Sequence, residues 1–387
     1  MYRVDDEQRR IRLGRRHLLA PSARVTSAVT VSDAVVALHA TDAATLYLSV
    51  CARLSDPGVG VVEQALYEDV SLVRLLSMRN TLFTVSTDVA PAVDASNARS
   101  VATKERSKLI KHLREDGKGL GEQWLADTER QTLAALNTRG RATGSELSAA
   151  VPALRTKITV FPGTKQETVQ GVASRVIRVL AADGRIRRDR PRGSWTSSQF
   201  RWTAAEPWPA SDASAAREEV AMRWLHSYGP GTESDLKWWT GWGVRETRAA
   251  LAAAGAEEVL LDNGAVAWVA PGDVADEPSP EPWAALLPGL DPSAMGWADR
   301  SFQLPAAHRA ALFDRAGNIG PTVWWNGTII GGWAQRANGE LVWRLLADVG
   351  EEASRLIEAE AARLSAWTDD ARITPRFRTP LERELTS

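Results

Sequence analysis

The sequence predicts an α+β protein in which one unit, three helices followed by a two-stranded hairpin, occurs three times before a small antiparallel β element. Three observations carry this expectation. Helical apolar spacing gives way to strand-like alternation near residues 72, 186 and 259. The pairs Asn263-Gly264, Asn326-Gly327 and Asn338-Gly339 mark tight hairpin turns. A stretch rich in Pro and acids, residues 271–282, reads as a linker between the last unit and the C-terminal part.

Residues 1–30 read as an N-terminal helix over 5–19 with a turn at Pro21-Ser22. The first unit, 31–90, has helices expected at 32–40, 43–54 and 61–69, with Ser32 and Asp33 as the first N-cap signal. Strands over 72–78 and 81–86 turn at Arg79-Asn80. Three helices and a hairpin make a winged helix, a fold that meets duplex DNA through its third helix or its wing. A helical bridge, 91–121, leads to a second winged helix over 122–205. Its helices are expected at 123–136, from Thr143 onward, and at 169–182, before a wing from Gly184 to Trp202. An irregular insert at 152–168 interrupts it and is longer than most loops. The third unit, 211–271, repeats the order with helices at 215–228, 232–239 and 243–254. Residues 283–387 give a three-stranded meander, a helix over 350–366 and a loosely ordered tail from 372.

A single cysteine, Cys51, permits no internal disulfide, and five scattered histidines show no metal-ligand spacing. No signal peptide or run of eighteen apolar residues is visible, so a cytoplasmic protein without a membrane partner is expected. The net charge is −1, yet arginines and lysines crowd residues 3–24, 99–118 and 175–201. Residues 249–282 hold seven acids and no Lys or Arg. Such segregation suits a polyanion on one face with the acidic surface turned away. Solvated arginine surfaces are the alternative for any single run.

His39 and Thr41 stand in Leu38-His39-Ala40-Thr41-Asp42, where the first unit's opening helix ends. Within one helix, residues two apart point about 200° apart and share no site. Where the chain extends, the period is 2 and both side chains can face one cleft and hold a water. The other reading makes Thr41 a cap and His39 an ordinary interhelix residue; Asp42 reads as a cap. Trp238, Trp239 and Trp242 read as core, and only one of Trp324 and Trp325 fits a shared core. Trp333, before Gln335 and Arg336, is the tryptophan best placed for nucleic acid.

Taken with the wing Met78-Arg79-Asn80-Thr81-Leu82-Phe83, four later stretches stand in a familiar order. They are Asp235-Leu236-Lys237-Trp238-Trp239-Thr240-Gly241, Leu286-Leu287-Pro288-Gly289-Leu290-Asp291-Pro292, Gly320-Pro321-Thr322-Val323-Trp324 and Gly331-Gly332-Trp333-Ala334-Gln335-Arg336. Together they resemble the tandem winged-helix DNA glycosylases of the AlkZ/YcaQ kind over about residues 30–350. The resemblance implies three winged helices and a C-terminal β element around a DNA channel. It implies excision of alkylated purines, bulky adducts included, from duplex DNA without metal or cofactor. The family motif is Gln-x-Gln or Gln-x-Asp; here His39 takes the first position and Thr41 the second, a departure. His39 would then activate or position water, with Thr41 assisting. Arg79, Gln335 and Arg336 would grip the DNA, with Asn80, Arg188 and Trp333 beside them. An unperturbed His39 would make excision rise with pH through about 6.5. No lysine lies near the motif, so a monofunctional enzyme is expected, acting as a monomer. A winged-helix regulator and an adduct-sequestering resistance protein are the other readings; no dimerisation helix supports the first.

Overall fold

The computed structural model describes residues 2–375 and 377–387. Strand β1 (Tyr2–Val4) precedes helix α1 (Asp6–Arg16), whose N-cap Asp5 accepts from Gln8 N. In the first unit α2 (Ala28–Ala34) is followed by β2 (Leu38–His39), α3 (Ala43–Cys51) and α4 (Val59–Glu63), which continues as a π-turn over Gln64–Glu68. Strands β3 (Leu72–Leu76) and β4 (Leu82–Ser86) complete it, in sheet order β2-β4-β3. Arg79 (φ 52°) and Asn80 (φ 56°) both take left-handed backbone at the turn, the geometry that a tight hairpin with right-handed twist requires.

Short α5 (Ala90–Val93) and a π-turn over Asp94–Ala98 run into the bridge helix α6 (Arg99–Glu115). The second unit follows with α7 (Glu122–Arg139), β5 (Ala142–Thr143) and α8 (Gly144–Ala150), which opens on a Thr143–Glu146 capping box. The insert is not irregular: β6 (Lys157–Val160) and β7 (Thr168–Gly171) pair as a hairpin. It takes the first residues expected in the third helix, so α9 is only Ala173–Ala182, before β8 (Ile186–Asp189) and β9 (Arg201–Ala204). The third unit holds α10 (Ala213–Tyr228), α11 (Glu233–Thr240), α12 (Val244–Ala253), β10 (Glu257–Leu261) and β11 (Val266–Val269). β1 joins this sheet parallel to β10, pairing Tyr2 with Val259.

The C-terminal part departs twice from expectation. The meander β13 (Thr322–Trp325), β14 (Thr328–Gln335), β15 (Leu341–Leu345) gains a fourth strand, β12 (Ala284–Leu287), against β13. Short α13 (Pro292–Met295) and α14 (Arg309–Leu312) lie between, and α15 (Gly350–Thr368) packs on β12. The tail is not loose. It ends in α16 (Pro380–Thr386), which a Thr379–Glu382 capping box starts and buried Leu381 and Leu385 hold against β14.

Charge is arranged differently from the expected two faces. The acidic stretch packs on the first basic run: Asp273 pairs with Arg12 and Arg16, Glu277 with Arg15 and Arg16, and Asp262 with Arg3. The reason is that α1 and β1 dock on the third unit, which carries those acids to the arginines. The first run therefore closes the fold.

Candidate active site

The first helix starts at Ala28, capped by Ser27 rather than Ser32, and stops at Ala34 because Val36 adopts φ 61°. A β-branched residue rarely enters that region, and here it turns the chain out of the helix. Leu38 and His39 then pair with Thr84 and Phe83, and Ala40 N donates to Leu82 O. Asp42 caps α3 through Ala44 N at 3.0 Å. His39 and Thr41 thus lie on extended chain between two helices, two residues apart, and both line one cleft of about 990 Å³. The first unit forms one bank, and the C-terminal sheet with its tail forms the other.

His39 is 6% exposed, with its ring 4.9 Å from that of Phe83, and its Nδ1 is buried without a hydrogen-bond partner. Burial, with a smaller contribution from the Arg79 charge, pulls the imidazole down to about 3. His39 is neutral throughout the physiological range. The expected titration near 6.5 is therefore corrected, because a charged imidazole here would lose its hydration beside a guanidinium. Thr41 is exposed at the rim.

Arg79 lies flat on Trp238, its guanidinium carbon 4.0 Å from the ring centroid. Gly241 (φ 77°) ends α11 there, and a Cβ on it would sit 3.3 Å from Arg79 N, so glycine permits the close approach. Arg79 Nε is buried without a partner, and burial lowers the guanidinium to about 10. Arg188 repeats the pattern from the second unit: it stacks 3.8 Å from Phe200, leaves Nε and Nη1 without partners, and is likewise lowered to about 10. Asn80 ties the two units together, donating to Glu105 Oε1 at 3.1 Å and accepting from Arg178 Nη2 at 2.9 Å.

The remaining expected contacts are placed differently. Trp333 lines the cleft but is 2% exposed, and its Nε1 donates to Leu287 O, so it shapes the floor from within the core. Gln335 also lines the cleft, yet Nε2 donates to Gly339 O and Ala371 O while Oε1 accepts from Ile373 N, which pins the tail. Arg336 stands outside, paired with Glu340 at 2.8 Å and donating to Leu385 O. Both are turned to the protein because the tail is ordered, which the sequence reading did not foresee.

Two cleft residues escaped the sequence. Thr45, one turn into α3, donates to Gly289 O at 3.2 Å, and a helical i, i+4 step from Thr41 was the available signal. Glu382 is 3% exposed and raised by burial, and it lines the cleft from α16, which sequence patterning did not find. Among the described residues no group of three His, Cys, Asp or Glu side chains is arranged to hold a metal ion, and no helix is long and apolar enough to cross a membrane.

A family model described as AlkZ-like, "DNA glycosylase AlkZ-like", matches residues 33–367. The solved structure of Streptomyces sahachiroi DNA glycosylase AlkZ is similar in fold, with a TM-score of 0.70 at 21% identity over 96% of this chain and 98% of that one. No curated protein matches.

Proposed function

The chain belongs to the AlkZ-like DNA glycosylase family, and from that premise we propose that it hydrolyses the N-glycosidic bond of alkylated purines in duplex DNA, leaving an abasic site. The order helix, strand, helix, helix, strand, strand in residues 28–86, repeated with an insert in 122–204, supports reading these units as winged helices. The third unit, 213–269, follows the same plan with a Gly231–Trp268 bridge in place of the short strand. The protein works as a monofunctional cytoplasmic monomer whose partner is duplex DNA.

One observation carries the reading. A buried neutral histidine shares a cleft with two guanidiniums, Arg79 and Arg188, that pair with no carboxylate among the described residues. Half-buried cations without counter-charges suit incoming phosphates. N7- or N3-alkylation makes the purine a cationic leaving group, so a strong general acid is unnecessary. What remains is to place a water beneath C1′ as positive charge develops on the sugar. A histidine near 3 is too weak a base to take that proton early. It accepts a hydrogen bond and orients the water, and the Thr41 hydroxyl at the rim completes the alignment.

The test is incubation with duplex carrying N7-alkylguanine, then hot alkali to cut at abasic sites. Strand cleavage that requires the protein is the expected outcome. Intact strands, with tight binding to the same duplex, would instead favour an adduct-sequestering protein.

A further inference from the structure

A second concavity of about 840 Å³ opens beside the cleft, walled by β3, α6, α9 and β8, and shares Asn80, Arg178 and Arg188 with it. Six cations line it: Arg74, Lys108, Arg175, Arg178, Arg187 and Arg188. Glu105 is the one carboxylate in its wall and is already held by Arg178 at 2.6 Å. Arg175 is turned to His112 Nδ1 and Gln170 Oε1, and Arg74 to the Tyr67 hydroxyl. Neither has a carboxylate partner among the described residues, and Arg187 and Lys108 are exposed. Five of the six cations, all but Arg178, thus have no carboxylate partner among the described residues.

The walls also say how an anion is met. α9 is the third helix of its unit, the element that a winged helix ordinarily lays in a major groove. Here α9 packs against α6 and β3, with Val176, Val179 and Leu180 in the unit's own core. Ser174, Arg175 and Arg178 face the concavity. The helix is a wall, not a free reading head. A volume of this size takes a small group or a short backbone segment, not a duplex.

We propose that this concavity is a phosphodiester subsite that holds one DNA strand where it leaves the cleft, by charge alone and without reading bases. The proposal rests on the glycosylase reading above. It also gives the second unit a role other than groove recognition, because α9 contributes arginines to the strand's path instead of base contacts.

The experiment measures dissociation of lesion-bearing duplexes of two unrelated sequences over a salt series. The full-length protein is compared with Arg187→Gln, the Lys108→Gln/Arg187→Gln double variant, Arg187→Lys, and Arg355→Gln on the exposed face of α15 as control. For the double variant, binding should weaken about tenfold on both sequences, and the log–log salt slope should fall by roughly one per cation removed. Arg187→Lys should keep the parent slope, and the control should match the parent. A double variant with the parent slope overturns the subsite, and so does a loss confined to one sequence, which would make α9 a base reader. A parent whose binding ignores salt would remove the DNA reading itself, an outcome separate from either of these.

Discussion

Two arginines with backbone and aromatic surroundings, Arg53 and Arg79, are treated in opposite ways by the same fold. Arg53 is fully buried, and its Nε donates to His17 O. Nη1 donates to Ser49 O and Asp291 Oδ2, and Nη2 to Asp291 Oδ1 and Ser293 Oγ. All five of its donors are used. Arg79 has a ring beneath it, an orphaned Nε and no carboxylate. The histidines divide likewise. His17 and His39 are both pulled down to about 3 by burial, yet His17 bonds Ser293 Oγ and Ser227 O while His39 Nδ1 bonds nothing. Burial alone does not mark a site; here the difference is that His39 and Arg79, unlike His17 and Arg53, line one cleft with polar atoms unsatisfied. The first group fastens α1 and α3 to the C-terminal part, and the second lines the cleft.

The largest effect expected from this contrast is on chemistry. His39→Ala should lower the single-turnover excision rate by roughly 10²-fold, the cost of a misplaced water, while binding to DNA and melting temperature stay near the parent's. Parent-like excision by a folded His39→Ala protein would make His39 merely structural, like His17. Next comes stability. Arg53→Ala or Asp291→Ala strands one buried charge and should destabilise by about 3–5 kcal/mol in urea unfolding, whereas Arg79→Ala should change stability little. Equal losses for Arg53 and Arg79 would erase the distinction.

Arg79→Ala should instead weaken DNA binding by about 1–3 kcal/mol, similarly on every sequence, as a lost phosphate contact does. Dependence on one base sequence would point to a regulator. Thr41→Val should cost less rate than His39→Ala, because Thr41 stands at the exposed rim, where solvent can replace its hydroxyl, and His39 is buried; single-turnover kinetics decide it.

The last prediction sets two pH profiles against each other. The unfolded chain protonates its histidines near 6.5, but folded His17 and His39 refuse the proton until about 3. The unfolded state therefore binds more protons between these values, so unfolding free energy should fall as pH drops from 6.5 towards 3 and be fully present above 6.5. The excision rate should show no inflection near 6.5. A rate step at that pH would mean that DNA binding restores an ordinary imidazole.

The legible parts were those with local causes. Asn263-Gly264 and the helix expected at 232–239 located the third unit, and the Asn-Gly turns located the meander. Side-chain period admitted an extended step that lets His39 and Thr41 share a cleft, but it equally allowed a cap and an interhelix residue, and the family resemblance favoured the first. What escaped depends on partners far away in the chain. β1 has three residues and is a strand only because β10 accepts it. β12 is a four-residue apolar run that β13 turns into a strand. The acidic stretch looked like a repelled surface because its arginines lie some 250 residues upstream. Gln335 looked available for DNA because its partners, Ala371 and Ile373, sit in a tail without periodicity.

The pairing of N-terminal β1 with β10 of the third unit also has a consequence for synthesis. The second unit draws its core from residues 109–186 and can close as soon as that stretch leaves the ribosome. β1 and the buried guanidiniums of α1 must wait for residues 257–277, and the bank of the cleft opposite His39 waits for α16. The cleft therefore forms only after residues 380–386 are made, later than the second unit's core. A nascent chain that has passed the second unit would therefore carry a closed middle and an open cleft side until α16 docks.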